Sequence, residues 1–243
     1  MQTLSNNRFK ELMKLHQKKY RDLTNTFLVE TPHLVEEAIQ NNSVIEIFEN
    51  DINTKYTYIS DEQIKKLSQT DSKISIMALC NKKSNINNIY KGNIVILDDI
   101  QDPGNLGTIL RTCKASNIDN VIISKNTCDP YNSKVIRSSQ GAIFKTNIIE
   151  DDLIKVINDL KANHKEFKVY GTSLRNAESL SNYNFTTDNK YAIIFGNEGN
   201  GVKEEILNLT DKNIFIEINN MESLNVAISC GIILYKISIE QKK

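Results

Sequence analysis

Short apolar runs and helical patterns alternate through the first eighty residues. Apolar residues recur near helical spacing between Phe9 and Tyr20, which predicts an N-terminal helix. Short runs rich in β-branched residues are typical of strands. Three of them occur here: FLVE at 27–30, VIEIF at 44–48 and ISIMALC at 74–80.

Helix-start signals separate these strands. Thr31 and Pro32 suit the N-cap and first position of a helix, and Ser60 with Gln63 forms a capping-box pattern for a helix through Leu67. The segment is therefore predicted to be a compact α/β module. The polar run NKKSNINN at 81–88 predicts a linker after it, which divides the chain into domains at 1–85 and 90–243.

The second half again alternates strand-like and helical runs. The strand-like runs are NIVILDDI, VIIS at 121–124, FKVYGTSL, YAIIFG and NIFIEI. Helices are predicted through Leu110, near 132–139 and over DLIKVINDL. A last helix from Ser223 to about Glu240 carries an apolar stripe that packs on the sheet or on a partner. This alternation predicts a parallel sheet covered by helices.

Composition narrows the function only a little. Hydrophobic residues make up 40% and charged residues 25%, as in ordinary soluble globular proteins. Thirty basic residues balance thirty acidic ones, so any nucleic-acid site must be a local patch. The most basic stretch is either a solvated helix face or a phosphate-contacting arm. Its cations are Arg8, Lys10, Lys14, Lys18, Lys19 and Arg21.

Cysteine spacing and the N-terminus bear on the compartment. The four cysteines are too scattered for a disulfide framework or a CxxC metal site. The N-terminus lacks the apolar core of a signal peptide, and no apolar run is long enough to cross a bilayer. We therefore expect a cytoplasmic protein with neither a metal nor a membrane partner.

Three segments place polar or glycine residues where a ligand should bind, beyond the carboxyl ends of parallel strands. DPGNLGTILR follows the first strand of the second half, with Asn105 expected in the first turn of a helix and Arg111 in the second, where both could face one ligand edge. GNEGNG follows YAIIF, and MESLNV opens the last helix. Taken alone, each segment indicates no more than a turn or a polar helix start.

Together, and in this order, the three segments resemble the signature motifs of the SpoU/TrmH-like ribose methyltransferases of the SPOUT superfamily. The first is matched by Asp102, Pro103, Asn105, Gly107 and Arg111, the second by Gly196, Glu198, Gly199 and Gly201, and the third by Ser223 to Val226. KVIRSSQGAIF at 134–144 is similar to a fourth family segment.

The resemblance implies a SPOUT fold whose C-terminal segment forms a trefoil knot. FLVE at 27–30 and HLVEEA at 33–38 resemble a small N-terminal RNA-binding domain of the L30 type, although Thr31 stands where the family usually has glycine. Ile216 or Glu217 likewise stands where the third motif usually has proline. The resemblance implies S-adenosylmethionine as cofactor. Its binding positions would be Thr172, Gly196, Gly201, Ile216 and Leu224.

The resemblance also implies a set of catalytic residues. They are Asn105, Arg111, Glu198, Ser223 and Asn225. A guanidinium has a pKa above about 12 and is a poor base. Our hypothesis is therefore that Arg111 clamps the phosphate beside the target ribose, that Ser223 and Asn225 orient the hydroxyl, and that Glu198 holds Arg111 or a loop amide.

The function predicted on this basis is methyl transfer from S-adenosylmethionine to a ribose 2′-hydroxyl in structured RNA. A homodimer through the last helix is expected, and ribosomal RNA is favoured over transfer RNA. The alternatives are a transfer RNA ribose methyltransferase, a methyltransferase acting on a base, and a non-catalytic RNA-binding protein of the same fold. A nucleotide-binding oxidoreductase is a further alternative, but DPGNLG stands where its fingerprint glycine loop should be.

Overall fold

A computed structural model describes residues 2–70, 72–83, 90–185 and 189–241. Its N-terminal part contains a four-stranded sheet in the order β1-β4-β2-β3, in which β4 is antiparallel to both neighbours and β2 is parallel to β3. The elements are α1 (Asn6–Lys14), α2 (Lys18–Thr24), β1 (Thr26–Glu30), α3 (Pro32–Gln40), β2 (Val44–Glu49), β3 (Thr57–Tyr58), α4 (Asp61–Leu67) and β4 (Ile76–Asn81).

The predicted N-terminal elements are confirmed, with two helices in place of one before β1. The capping box at Ser60 and Gln63 is present in both directions. Thr31 caps α3 from a backbone φ of 84°, a region that favours glycine. This conformation gives a physical reason why glycine is expected at this position from the family resemblance.

The C-terminal part is built on a seven-stranded, fully parallel sheet in the order β7-β6-β5-β10-β8-β11-β9. Its strands are β5 (Ile94–Leu97), β6 (Asn120–Ile123), β7 (Asn147–Glu150), β8 (Phe167–Thr172), β9 (Ala177–Ser179), β10 (Lys190–Phe195) and β11 (Lys212–Phe215). The helices are α5 (Pro103–Ala115), α6 (Ser133–Ser139), α7 (Ala142–Lys145), α8 (Leu153–Asn163), α9 (Glu204–Leu207) and α10 (Val226–Glu240), with a 3-10 turn at Leu180–Asn182.

The parallel α/β sheet confirms the predicted fold class, and the five predicted strands of this half are all present. The edge strands β7 and β9 and the short helices α7 and α9 were not predicted. One predicted boundary is wrong: α10 begins at Val226 rather than Ser223, because the side chain of Asn225 accepts hydrogen bonds from the amides of Ala227 and Ile228 and so caps the helix.

Apolar side chains of the two sheets meet in one continuous core, at a contact that we call the seam. The ring of Phe27 on β1 packs 4.7 Å from that of Tyr131 and 5.9 Å from that of Phe144, centroid to centroid. Gly141, with a φ of 88°, lies so close to α3 that a Cβ there would be 2.7 Å from Cγ of Glu37. The two parts therefore pack directly against each other.

A buried ion pair crosses the seam. The Arg21 guanidinium contacts Oδ2 of Asp129 through Nε at 3.1 Å and Nη2 at 2.5 Å, and Nη1 donates to the carbonyl of Leu15 at 2.6 Å. The two charged side chains are 8% and 10% exposed.

The division at 1–85 and 90–243 stays a prediction, since most of the predicted linker over 81–88 lies outside the described residues and Asn81 ends β4.

The basic stretch of the N-terminus is partly neutralised within the protein. Arg8 pairs with Glu46, Lys18 with Asp22, and Arg21 with Asp129. Those cations serve the fold, which leaves Lys10, Lys14 and Lys19 as the members of the stretch that could contact a phosphate.

No helix in the described part of the chain is long and apolar enough to span a membrane. Within the same residues, no group of three or more His, Cys, Asp and Glu side chains is arranged to hold a metal ion.

Candidate active site

The order of strands in the C-terminal sheet locates a ligand crevice. The chain leaves β5 toward β6 on one side, whereas it leaves the adjacent strand β10 toward β11 on the other side. The loops at the carboxyl ends of β5 and β10 therefore diverge, and ligands bind at such switch points in parallel sheets. The first motif segment begins where the loop after β5 ends, and the second lies in the loop after β10.

The turn after β5 ends in a strong helix cap. Oδ1 of Asp102 accepts a hydrogen bond from the amide of Asn105 at 2.8 Å, and Oδ2 lies 3.1 Å from Nζ of Lys134 on α6. The bond from Asn105 and then the charge of Lys134 lower the pKa of the Asp102 carboxyl. This cap fixes Asn105 in the first turn of α5, where its side chain points back to the crevice.

Glu198, in the loop after β10, reaches across the crevice to this turn. Its Oε1 accepts from Nδ2 of Asn105 at 3.0 Å and from the amide of Asp102 at 3.3 Å, and Oε2 accepts from the amide of Gln101 at 3.3 Å. Partial burial alone would raise its pKa, but the bonds from Asn105 and the backbone lower the pKa overall. The carboxylate is therefore a charged anchor and a weak base.

The third segment joins the same group of side chains. Nδ2 of Asn225 donates to Oδ1 of Asn105 at 2.9 Å, while Oδ1 of Asn225 caps α10. Glu198, Asn105 and Asn225 thus form one hydrogen-bonded chain that links the three motif segments. We call it the Asn105 network.

Arg111 and Ser223 stand apart from the Asn105 network. Arg111 lies in the third turn of α5, one turn later than expected. It follows Asn105 by six residues, so the two side chains leave the helix about 120° apart around its axis. The side chains of Arg111 and Ser223 are both exposed, and neither has a hydrogen bond or ion pair with any residue that the structure describes. The expectation that Glu198 holds a loop amide fits the structure, whereas its contact with Arg111 is not observed.

A cavity of about 790 Å³ opens beside Glu198. It is lined by all the predicted cofactor positions, namely Thr172, Gly196, Gly201, Ile216 and Leu224. A Cβ on Gly196 would lie 2.1 Å from the carbonyl carbon of Gly201, so only glycine permits this loop to fold back on itself. The volume lies within the usual range of small-molecule sites, roughly 300–1,000 Å³.

The lining suits a nucleoside-bearing ligand such as S-adenosylmethionine. Ile216 and Leu224 supply apolar surface, and the glycine loop presents backbone groups. The hydroxyl of Thr172 donates to the carbonyl of Ile194 at 2.9 Å, so this side chain supports the cavity wall and its oxygen can still accept a bond.

Asn197 is a residue of the site that sequence reasoning missed. Its Oδ1 accepts from the amides of Gly199 and Asn200 at 2.9 and 3.1 Å, and its Nδ2 donates to the carbonyl of Asp99 at 2.9 Å. Asparagine bonding its own following backbone is a common turn signal and could have been recognised. The pairing of Lys134 with Asp102 is long-range and leaves no such signal.

Comparisons with known proteins give two family matches. Residues 92–235 match the SpoU rRNA methylase family, and residues 6–52 match the MRM3-like substrate binding domain. The chain is 34% identical to the 23S rRNA (guanosine(2553)-2′-O)-methyltransferase RlmP of Bacillus subtilis strain 168, over 98% of each chain.

Solved structures of similar fold span nearly the whole chain. An RNA methyltransferase of the TrmH family from Porphyromonas gingivalis superposes with a TM-score of 0.85 at 25% identity, covering 97% of this chain and 98% of that one. The SpoU methyltransferase AviRb from Streptomyces viridochromogenes, solved with the cofactor AdoMet, superposes with a TM-score of 0.87 at 19% identity, covering 98% and 99%. The trefoil knot remains a prediction from the family resemblance.

Proposed function

This chain belongs to the SpoU rRNA methylase family and transfers a methyl group from S-adenosylmethionine to a ribose 2′-hydroxyl of RNA, and we propose that its target is the guanosine of 23S ribosomal RNA equivalent to position 2553. The observation that carries the proposal is the Asn105 network, which joins the three motif segments beside the cavity. The RlmP relative, named for that guanosine, supports the choice of nucleotide.

The residues divide the work between holding the site and contacting RNA. S-adenosylmethionine supplies an activated methyl group, so the protein has to align the hydroxyl with it and handle one proton. Glu198 and Asn225 are both occupied by hydrogen bonds within the protein. We assign them to positioning Asn105 and the two loops, and no longer assign Asn225 to the ribose hydroxyl.

Arg111 and Ser223 are the members of the set with free hydrogen-bonding groups among the described residues. Arg111 is exposed on α5, and its planar guanidinium suits bidentate contact with a phosphate. We assign it to the phosphate beside the target ribose. Ser223 lines the cavity and is assigned to the ribose hydroxyl, where it can accept or donate one hydrogen bond.

A homodimer through α10 is part of the proposal. Val226, Cys230, Ile233, Leu234 and Ile237 face the core, yet a second apolar stripe runs along the opposite side of the helix. It consists of Ile228, Ile232, Tyr235 and Ile239, which are 39–67% exposed. Spacings of four, three and four residues make this one continuous face, which suits a second copy of the same helix.

The dimer can be tested by light scattering on the purified chain. Ile232→Lys should yield monomers, because a charge would be buried in the paired face. Ile52→Lys is the matched control, since Ile52 is 69% exposed on the N-terminal part. A wild-type chain that is monomeric by light scattering and still methylates RNA would overturn this part of the proposal.

The substrate is tested by mapping 2′-O-methyl groups in all ribosomal and transfer RNA from cells with and without the gene. We expect one guanosine of 23S RNA to lose its methyl group and to regain it with the wild-type gene but not with Arg111→Ala. Loss at a transfer RNA nucleotide would replace the substrate, and an unchanged map would contradict the function. On the same basis we propose a cytoplasmic location, because the RlmP relative is a bacterial enzyme named for ribosomal RNA.

A further inference from the structure

The glycine loop after β10, residues 196–203, carries Glu198 as a closed unit. Asn197 and Gly201 exchange two backbone hydrogen bonds, of 3.0 and 2.9 Å. The backbone at Gly196 packs against that of Gly201 without room for a side chain. Because the loop has little internal freedom, the attachment of its two ends determines the position of Glu198.

Both ends are attached to the pair of aspartates that follows β5, the far end to Asp98 and Asp99 and the near end to Asp99. At the far end, the amide of Lys203 donates to Oδ2 of Asp98 at 2.9 Å, and Nζ of Lys203 lies 2.9 Å from Oδ1 of Asp98 and 2.7 Å from Oδ2 of Asp99. At the near end, Nδ2 of Asn197 donates to the carbonyl of Asp99. We call this arrangement the aspartate lock.

The loop after β6 supports the aspartate lock from the other side. Asp99 has a backbone φ of 57° and is held by the hydroxyl of Ser124 at 2.6 Å and by Nδ2 of Asn126 at 3.3 Å. Asp98 is only 1% exposed, so its charge needs a compensating partner. Lys203 is that partner, and its pKa is raised: burial alone would lower it, but the bonds to Asp99 and Asp98 outweigh burial.

We propose that Lys203 is a positioning residue for methyl transfer. Its ammonium group holds the glycine loop against the end of β5, so that Glu198 meets Asn105 and the cavity keeps the shape that S-adenosylmethionine requires. Lys203 itself is among the residues that line that cavity. The inference rests on the proposed function and adds a residue outside the family motifs on which that function was recognised.

The side chain of Lys203 can be changed without emptying the core. It is 44% exposed, while the apolar packing nearby comes from Val202 and Ile206, which are buried. Lys203→Met keeps the stem and removes only the ammonium, and Lys203→Arg restores the charge. Lys212→Met is a matched control, because Lys212 is 45% exposed, pairs with Glu178 at 2.8 Å and is not among the residues that line the cavity.

The test uses the purified full chain and two readouts. Calorimetry measures binding of S-adenosylhomocysteine, and steady-state kinetics measure methyl transfer to a transcript of the 23S RNA region that contains the target guanosine. For Lys203→Met we expect about tenfold weaker binding and up to about a 100-fold fall in kcat, with the KM for RNA unchanged, because displacing a catalytic loop by about 1 Å has effects of that size. Lys203→Arg should recover most of both losses.

Equal results for Lys203→Met and Lys212→Met would overturn the proposal. So would equal losses in Lys203→Met and Lys203→Arg accompanied by an equal fall in melting temperature, since the role would then be general stability. If the wild-type chain binds S-adenosylhomocysteine but methylates no RNA, the proposed function fails, and the binding comparison still decides whether Lys203 shapes the cavity.

Discussion

The catalytic crevice and the seam both join segments that are distant in sequence, but they do so by different means. The Asn105 network joins exposed or half-buried polar groups across the crevice, and Arg111 and Ser223 have no partner among the residues that the structure describes. The seam is held by aromatic packing around Phe27 and by the buried pair of Arg21 and Asp129.

The difference separates stability from activity. Burial of apolar area stabilises the fold, and removal of one partner of a buried ion pair leaves the other charge uncompensated, so changes at the seam should be seen in unfolding. Exposed groups without partners contribute little to folding and are available to a ligand. Substitutions of Arg111 and Ser223 should therefore change turnover while leaving the fold intact.

Breaking the ion pair of the seam should have the largest effect. Arg21→Met leaves the Asp129 carboxylate buried without a cation and the carbonyl of Leu15 without its donor, and loss of one partner of a buried pair costs about 3–5 kcal/mol. Urea unfolding measures this. The control is Lys18→Met, whose partner Asp22 is exposed and whose loss should cost about 0.5 kcal/mol. Equal costs would mean that the seam is not a stability centre.

The second-largest effect is expected on activity, when the guanidinium of Arg111 is removed. Arg111→Ala should reduce kcat about 10²–10³-fold, the usual effect of removing one charge-stabilising donor from an active site, with no change in melting temperature. Arg111→Lys should stay well below wild type, because an ammonium cannot make the bidentate contact. Near-normal turnover of Arg111→Lys would rule out the phosphate clamp. Lys168→Ala serves as the control, because Lys168 is exposed near the amino end of β8, whereas the crevice lies at the carboxyl ends of the strands.

The Asn105 network should show itself in the pH dependence of turnover. Because the pKa of Glu198 is lowered in the folded protein, its carboxylate stays charged at pH values below the usual pKa of a glutamate. The stability that this charge gives to the network is present above the unfolded pKa and is lost as the pH falls through the folded pKa. Asn105→Ala removes one donor and should move the acid limb of kcat to higher pH. Turnover at neutral pH should fall about 10–100-fold, as expected for a bond to a charged group.

An acid limb that does not move in Asn105→Ala would contradict the role of Glu198 as a charged anchor. Asn163→Ala is a suitable control, because Asn163 donates to Asp159 on the exposed side of α8, outside the crevice.

The smallest effect concerns the backbone at Thr31. Its φ of 84° with a ψ of 145° lies in a region that essentially only glycine adopts and strains a residue with a Cβ by about 1–3 kcal/mol, and its cap bond to the amide of Leu34 is long, at 3.5 Å. Thr31→Gly should therefore raise the free energy of unfolding by about 0.5–1 kcal/mol, whereas Thr31→Ala should lower it, since alanine keeps the strain and loses the cap. The reverse order in urea unfolding would contradict the strain.

The sequence predicts most of the fold because local patterns determine most elements. β-branched runs such as Ile94–Leu97 are buried strands, and Ser60 and Gln63 cap a helix as expected. The short edge strands β7 and β9 were missed, because their pairing depends on neighbours and not on a strong local pattern. The start of α10 was misplaced by three residues for a related reason: the side chain of Asn225, not that of Ser223, caps it.

The candidate site was predictable as a set of residues but not as a set of contacts. Family motifs indicated Asn105, Glu198 and Asn225, whereas their mutual hydrogen bonds depend on how three loops meet at the switch point. Asp98 and Lys203 are separated by 105 positions, and their contact could not be inferred from either residue alone.

The most direct test of the account is the chemistry of the product. The purified chain is incubated with tritiated S-adenosylmethionine and the 23S RNA transcript, and the RNA is digested to nucleosides. We predict that the label is found in 2′-O-methylguanosine, with one methyl group per transcript, and that Arg111→Ala greatly reduces it. Label on a base, or no transfer to RNA by the wild-type chain, would contradict the assignment of this crevice to ribose methylation.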